Sequence, residues 1–102
     1  MKKYLIAFIY QIFITASLFS QSIKGVVQDS KGENLPFATI WVQNQNKGTI
    51  ANENGQFQFN LGPGEHQVVF RFLGYTPKSL KVNFKSGDAD KELKIVLTEQ
   101  PT

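Results

Sequence analysis

Between Ile23 and Tyr75 the sequence is a series of short runs in which apolar and polar residues alternate, separated by turn-forming residues at nearly regular spacing. Alternation with a period of two residues is typical of a strand with one buried face, because successive side chains point to opposite sides. Many short strands at this spacing, without helical periodicity between them, predict two packed antiparallel sheets. We therefore expect an all-β sandwich.

Seven strands are predicted, each bounded by residues that favour turns. The expected strands are Ser22–Gln28, Phe37–Gln43, Gly48–Ala51, Gln56–Leu61, His66–Leu73, Thr76–Phe84 and Leu93–Thr98. The Asn54-Gly55 pair indicates a hairpin, because both residue types adopt positive φ readily. Gly62-Pro63-Gly64 separates the fourth strand from the fifth, and a polar loop is expected over residues 85–92.

Several short motifs occur in a characteristic order along these strands. They are Leu35-Pro36-Phe37-Ala38, Gly48-Thr49, Gly55-x-Phe57 and Gly74-Tyr75. In this order and spacing the chain resembles the carboxypeptidase-regulatory-like domain, a transthyretin-like (prealbumin-like) sandwich. The resemblance implies a seven-stranded antiparallel Greek-key fold. Asn52 stands where that family commonly has Asp, and Phe37 stands where it commonly has Gly.

The resemblance also implies a role and a location. Domains of this family accompany zinc carboxypeptidases and form the N-terminal extension of many TonB-dependent outer-membrane receptors and related surface proteins. They are accessory and not catalytic. The resemblance thus implies an exported protein of the periplasm or outer membrane, whose partner is an envelope or outer-membrane protein, either covalently attached or separate.

The first 22 residues resemble a secretory signal peptide. Lys2 and Lys3 precede an apolar run, Tyr4–Phe19, which is short for a membrane-spanning helix, and Ser20 is a small residue suited to a cleavage site. An uncleaved N-terminal anchor is the alternative. The expected organisation is a signal peptide over 1–22, the sandwich over 23–99 and a tail over 100–102, belonging either to a stand-alone module or to a fragment of a longer protein.

The charge of the chain gives no indication of nucleic-acid binding. The formal net charge is +3 at pH 7, but Lys2 and Lys3 contribute two of these charges. From Gln21 onward there are nine Lys and Arg residues and eight Asp and Glu residues, which gives a net charge of +1. The basic residues are scattered and form no continuous stripe. The absence of cysteine excludes disulfides and a lipid-modified N-terminal Cys.

The sequence offers no catalytic set, so we expect neither an enzyme nor a cofactor. A nucleophile needs a partnering base, and the only histidine, His66, is expected to be exposed at a strand edge. One His and no Cys argue against a zinc site. Asp88, Asp90 and Glu92 alternate as calcium ligands can, but they lack the spacing of a calcium-binding loop, and a solvated acidic loop is the simpler interpretation.

A binding face is the remaining candidate site. The second faces of two strands carry apolar residues and an arginine where a solvent-exposed sheet would be polar; the residues are Phe37, Trp41, Val69, Arg71 and Leu73. An alternative is that a loop or the region of Tyr75 covers them. Two functions are compatible with such a face. One is an accessory interaction module, and the other is a carbohydrate-binding module in which Trp41 stacks on a sugar beside Gln43, Asn44, Gln45 and Asn46.

Overall fold

A computed structural model describes residues 21–101. It confirms the all-β prediction, with seven strands in two sheets. The strands are β1 (Ser22–Asp29), β2 (Thr39–Val42), β3 (Lys47–Ile50), β4 (Gln56–Asn60), β5 (Gly64–Arg71), β6 (Lys78–Phe84) and β7 (Lys91–Leu97). The predicted signal peptide falls almost wholly outside the described residues. Within those residues there is no helix with the length and apolarity needed to cross a bilayer.

The two sheets divide the chain unevenly. The three-stranded sheet has the order β4-β1-β7, and the four-stranded sheet has the order β3-β2-β5-β6. The expectation of a wholly antiparallel fold is wrong for one pair, because β1 and β7 run parallel. Parallel neighbours need a long crossover connection, and here the crossover is the rest of the domain, which includes the entire four-stranded sheet.

Two predicted strand boundaries are wrong for local reasons that affect the candidate face. The second strand begins at Thr39 because Phe37 has a φ of 62°, which an extended strand does not allow. The fifth strand ends at Arg71 because the next residues form a turn, closed by the N–H of Tyr75 donating to the carbonyl of Phe72 at 3.0 Å. Phe37 and Leu73 therefore lie in turns and not in strands.

The core lies between the sheets and is built from the inward positions of the strands. Its fully buried large side chains include Ile23 and Val27 from β1, Ile40 from β2, and Phe70 and Phe84 from β5 and β6. Each such side chain stabilises the fold by roughly 1.5–3 kcal/mol relative to an exposed one. Phe57 of β4 meets Phe70 with ring centroids 5.6 Å apart, which joins the two sheets.

Asp29 and Asn52 each hold a turn through one side-chain oxygen. Oδ1 of Asp29 accepts the N–H groups of the residues two and four positions further along, each at 2.9 Å. Oδ1 of Asn52 likewise accepts the N–H groups of Asn54 and Gln56, each at 2.9 Å. Since only an oxygen acceptor is needed, Asn52 serves where the family commonly has Asp.

Candidate interaction surface

The outer face of the four-stranded sheet carries the candidate residues, and strand register arranges them in two rows. One row runs Ile50–Thr39–Arg71 across β3, β2 and β5. The next row runs Gly48–Trp41–Val69 across the same strands. Residues directly opposite in a sheet point to the same side, so these six side-chain positions share one surface. We call it the Trp41 face; Leu73 lines a groove with Arg71 at one end of it, and Phe37 precedes Thr39 in the chain at that same end.

Trp41 occupies the centre of this face and extends over the edge strand. A Cβ atom on Gly48 would lie 2.6 Å from Cε3 and 3.3 Å from Cζ3 of the indole. The ring therefore rests on the bare backbone of β3, a position that only glycine leaves open. Trp41 remains 37 % exposed in this arrangement, so much of the ring is available for contact.

Val69 lies opposite Trp41, but the structure gives it a supporting role. Only 5 % of its surface is exposed, although it points away from the cluster of residues that forms the main core. It is thus buried on the outer side of the sheet, beside Trp41. Of the five predicted face residues, Val69 is the one that a partner could hardly touch.

Phe37 and Leu73 stand at the same end of the face, just beyond the paired residues Thr39 and Arg71. Phe37 is 63 % exposed and Leu73 is 96 % exposed. The alternative that a loop covers these side chains therefore does not hold for either of them. Phe37 also has the left-handed φ that explains why glycine is common there, and a bulky residue in this region costs roughly 1–2 kcal/mol.

Sequence reasoning missed Ile50, which is 64 % exposed and belongs to the face. The alternation of its short strand is too brief to assign an outward side. Only its pairing with Thr39 places it beside the other face residues. To predict that Ile50 faces outward, one must know which residue of β2 pairs with it. The four-residue turn between β2 and β3 does not determine that pairing.

Two shallow grooves on the face meet at Thr39. The first is lined by Thr39, Trp41, Gly48, Thr49 and Ile50. The second is lined by Thr39, Arg71, Phe72, Leu73, Gly74, Tyr75, Pro77 and Gln100. Arg71 is the only charged residue in either lining. It is exposed, and it forms no ion pair within residues 21–101, where the one salt bridge joins Lys81 to Glu65.

Tyr75 closes the second groove and packs on Phe72, with ring centroids 5.6 Å apart. The pKa of Tyr75 is raised from its ordinary value, chiefly because the hydroxyl is partly desolvated and then because the carboxylate of Glu99 opposes a phenolate. Asp29 and Glu33 act in the same direction. Because the shift is upward from 10.0, the Tyr75 hydroxyl is neutral at pH 7.

The expectation that His66 is exposed is wrong. The strand starts at Gly64, and His66 occupies an inward position with no exposed surface. Its Nδ1 accepts from Nε2 of Gln45 at 2.6 Å, and its Nε2 donates to the carbonyl of Gly62 at 2.9 Å. Both ring nitrogens are used in holding two turns together, which makes His66 a structural residue.

The amide-rich turn after β2 is also largely occupied by structural bonds. Nδ2 of Asn44 donates to the carbonyl of Glu65 at 3.0 Å, and its Oδ1 accepts the N–H of Gln67 at 3.1 Å. Gln45 is bound to His66. Two of the four amides proposed as sugar ligands thus already have partners within the fold.

Two carboxylates of the acidic loop before β7 are used in structural hydrogen bonds, one that closes the loop's own turn and one that ties the loop to the start of β1. Oδ2 of Asp88 accepts the N–H of Lys85 at 2.8 Å, and Oδ1 of Asp90 accepts the N–H of Ser22 at 2.9 Å. Glu92 lies on β7 and is exposed. Over the described stretch 21–101, no three His, Cys, Asp or Glu side chains are arranged to hold a metal ion.

The opposite surface of the sandwich differs in character. The outward positions of the three-stranded sheet are mostly polar or charged and include Lys24, Gln56, Gln58, Glu92 and Lys94. A sheet face of this composition is ordinary for solvent exposure. The contrast between the two outer faces marks the Trp41 face as the candidate contact surface.

Comparisons with known proteins place the chain in a family. It is 37 % identical over 84 residues to the TonB-dependent receptor SusC of Bacteroides thetaiotaomicron, covering 80 % of this chain and 8 % of the receptor. It is 37 % identical over 62 residues to the mouse carboxypeptidase N catalytic chain, covering 61 % of this chain and 14 % of that protein. The chain thus corresponds to a small part of each relative.

The fold is shared more widely than the sequence. The structure of 3-chlorocatechol 1,2-dioxygenase from Rhodococcus opacus 1CP matches with a TM-score of 0.58 at 11 % identity, covering 79 % of this chain and 60 % of that one. An identity this low supports a common sandwich and nothing about activity. The model of the CarboxypepD_reg-like domain matches residues 23–102. The chain therefore belongs to the carboxypeptidase-regulatory-like family, as the motifs indicated.

Proposed function

We propose that this domain is a non-catalytic accessory module of the bacterial cell envelope, which binds a protein partner through the Trp41 face. The observation that carries the proposal is the exposed apolar surface of Trp41, Ile50 and Leu73, with exposed Phe37 at the same end, on a sandwich whose opposite outer face is mostly polar. Exposed apolar patches tend to mark contact surfaces, and Trp and Arg are enriched at binding hot spots.

The location is proposed from the relatives and from the N-terminal sequence. SusC is by its name a TonB-dependent receptor, and its similarity to this chain supports an envelope setting. We propose export with cleavage after Ser20, since Gln21 and Ser22 belong to the sandwich. Nε2 of Gln21 donates to the carbonyl of Lys85 at 2.5 Å, and a cut after residue 20 preserves that bond. The proposed partner is an envelope or outer-membrane protein, covalently attached or separate.

Several observations support the non-catalytic part of the proposal. The family resemblance implies an accessory domain, and the matched region of carboxypeptidase N is only 14 % of that enzyme. His66 is engaged on both ring nitrogens. Asp88 closes a turn, and Asp90 accepts the N–H of Ser22 on β1. His66, Asp88 and Asp90 therefore have structural uses.

The test is capture of a partner from envelope fractions of the producing bacterium, with matched surface variants. Trp41→Ala combined with Arg71→Ala should weaken capture strongly. Loss of the indole that packs over Gly48 should also lower the thermal midpoint, so capture is compared at a temperature at which circular dichroism shows the variant to be folded. Leu73→Asp, at a side chain without packing partners, should also weaken capture. Lys24→Ala combined with Gln58→Ala alters the opposite face and should have no effect. Capture that survives both Trp41-face variants would overturn the proposal.

A carbohydrate-binding module is the second candidate, because the partly exposed indole of Trp41 could stack on a sugar ring. Gln43 and Asn46 remain exposed beside it, whereas Asn44 and Gln45 are already bonded. Binding on a glycan array that disappears in Trp41→Ala would favour this function. An array without signal would remove it.

A further inference from the structure

Arg71 lies between two apolar grooves, and its position constrains the chemistry of a partner that binds there. On one side its row continues through Thr39 to Ile50, beside the groove that Trp41 overhangs. On the other side Arg71 itself lines the groove that contains Leu73 and the Tyr75 ring. A partner that fills both grooves must therefore cover the guanidinium.

Within residues 21–101 no carboxylate forms an ion pair with that cation; the carboxylates of Glu99, Asp29 and Glu33 influence Tyr75 of the second groove. Neither groove lining contains an Asp or Glu residue. The ion pair of Lys81 and Glu65 lies toward the opposite end of β5. Arg71 lies six positions after Glu65 along the strand, a distance of roughly 20 Å. Burying an unpaired guanidinium against a partner is costly, so a complementary partner must bring its own anion.

Accordingly, and resting on the proposed function, we propose that the Trp41 face binds an acidic polypeptide segment, whose carboxylate pairs with Arg71 and whose flanking apolar side chains fill the two grooves. Guanidinium and carboxylate form paired hydrogen bonds in a fixed geometry, which gives specificity as well as affinity. In an extended segment, alternate side chains face the same side about 7 Å apart. The recognised pattern is therefore apolar–x–acidic–x–apolar.

A second copy of this chain fits the face poorly. A symmetric pairing places the same patch on both partners. Each copy would then cover its apolar grooves with a surface that carries Arg71 and no acidic residue. The unpaired positive charge favours a different partner, one that carries a carboxylate among apolar residues.

The experiment is selection of randomised dodecapeptides displayed on phage against the purified protein. Enriched peptides should carry Asp or Glu between apolar residues. Binding of a selected peptide should fall by about tenfold or more in Arg71→Glu, the size expected for loss of a charge-assisted bidentate contact. Arg71→Lys should keep the acidic preference. Selection against Arg71→Glu should instead enrich Lys or Arg at the same position, and Lys94→Glu on the opposite face should change nothing.

The outcomes separate this proposal from the proposed function. Peptides that need Trp41 and Leu73 but show no acidic preference, or keep it in Arg71→Glu, would overturn the acidic partner and leave the binding face standing. Peptides that bind without Trp41 and Leu73, or no enrichment at all, would overturn both. Self-association that Arg71→Glu strengthens, measured by sedimentation, would identify a second copy as the occupant and overturn the acidic segment.

Discussion

The indole of Trp41 lies over Gly48 on the neighbouring strand, so closely that a Cβ atom on residue 48 would come within 2.6 Å of Cε3. Gly48→Ala should therefore lower the free energy of unfolding by about 1–3 kcal/mol, as overpacking does. In a Trp41→Ala background the same change should cost less, although the carbonyl of Ile40 at 2.8 Å still crowds the new methyl group. Urea denaturation of the four chains measures this coupling, and equal losses in both backgrounds would contradict it.

Phe37 holds a left-handed backbone conformation while most of its side chain faces solvent. Phe37→Gly should relieve the strain, offset in part by the entropy of a more flexible unfolded chain. We expect a net gain of up to about 1 kcal/mol, which in a domain of this size raises the thermal midpoint by roughly 4–8 °C.

The same change should weaken partner capture if Phe37 belongs to the contact surface. Phe37→Ala separates the two effects, because it removes the ring and keeps the strain. The thermal midpoint, measured by calorimetry, and partner capture are compared for the parent protein, Phe37→Gly and Phe37→Ala. Together they show whether the ring contributes to binding while the backbone conformation of residue 37 lowers stability. A midpoint that falls in Phe37→Gly would contradict the strain argument.

Gly25 in the middle of β1 has no room for a side chain. A Cβ there would stand 1.7 Å from the carbonyl oxygen of Leu93 on β7, which is backbone and cannot rotate away. Gly25→Ala should separate the two strands and leave little folded protein, visible as loss of tertiary circular dichroism. Val26→Ala, on the outward side of the same strand, is the matched control and should fold.

His66→Leu should lower the free energy of unfolding by about 1–3 kcal/mol, because the Gln45 amide and the Gly62 carbonyl each lose a partner. Hydrogen exchange should speed up in both turns that His66 joins. Glu65→Gln, one residue earlier and exposed, should leave stability and exchange close to those of the parent protein. Unchanged exchange in His66→Leu would show that other contacts hold the turns.

The pKa of Tyr75 should lie above the ordinary value of 10.0. A carboxylate nearby disfavours the phenolate, so Glu99→Gln should lower that pKa toward the ordinary value, while the contribution of burial remains. Carbon-13 NMR of labelled tyrosine through an alkaline titration measures both. If the two titrations coincide, the interaction with Glu99 is not a cause of the shift.

Local patterns in the sequence predicted much of the fold. The period of two in Ile40 to Val42 and in Val68 to Phe70 indicated both the strands and their inward sides, because alternation alone decides which side chains reach the core. The turn that begins at Asp29 is local in the same sense. Its hydrogen bonds join residues close together in the chain.

Features that depend on distant partners could not be predicted in this way. The parallel pairing of β1 with β7 depends on how the whole chain is routed between them. The residues within either strand do not indicate whether its neighbour runs parallel or antiparallel. Trp41 and Val69 share one face, yet one is exposed and the other buried, because their burial depends on what packs beside them. Ile50 joined the face only through the register of β3 on β2.

The parallel pairing of β1 with β7 also determines how the domain would respond to a pulling force. The register joins Ile23 to Lys91 at one end and Asp29 to Leu97 at the other. Since both strands run the same way, the chain enters β1 at one end of the ladder and leaves β7 at the opposite end. Tension between these two points acts along the strands, in shear, so the hydrogen bonds share the load and must break together. The sandwich can thus transmit mechanical force along its length without unzipping.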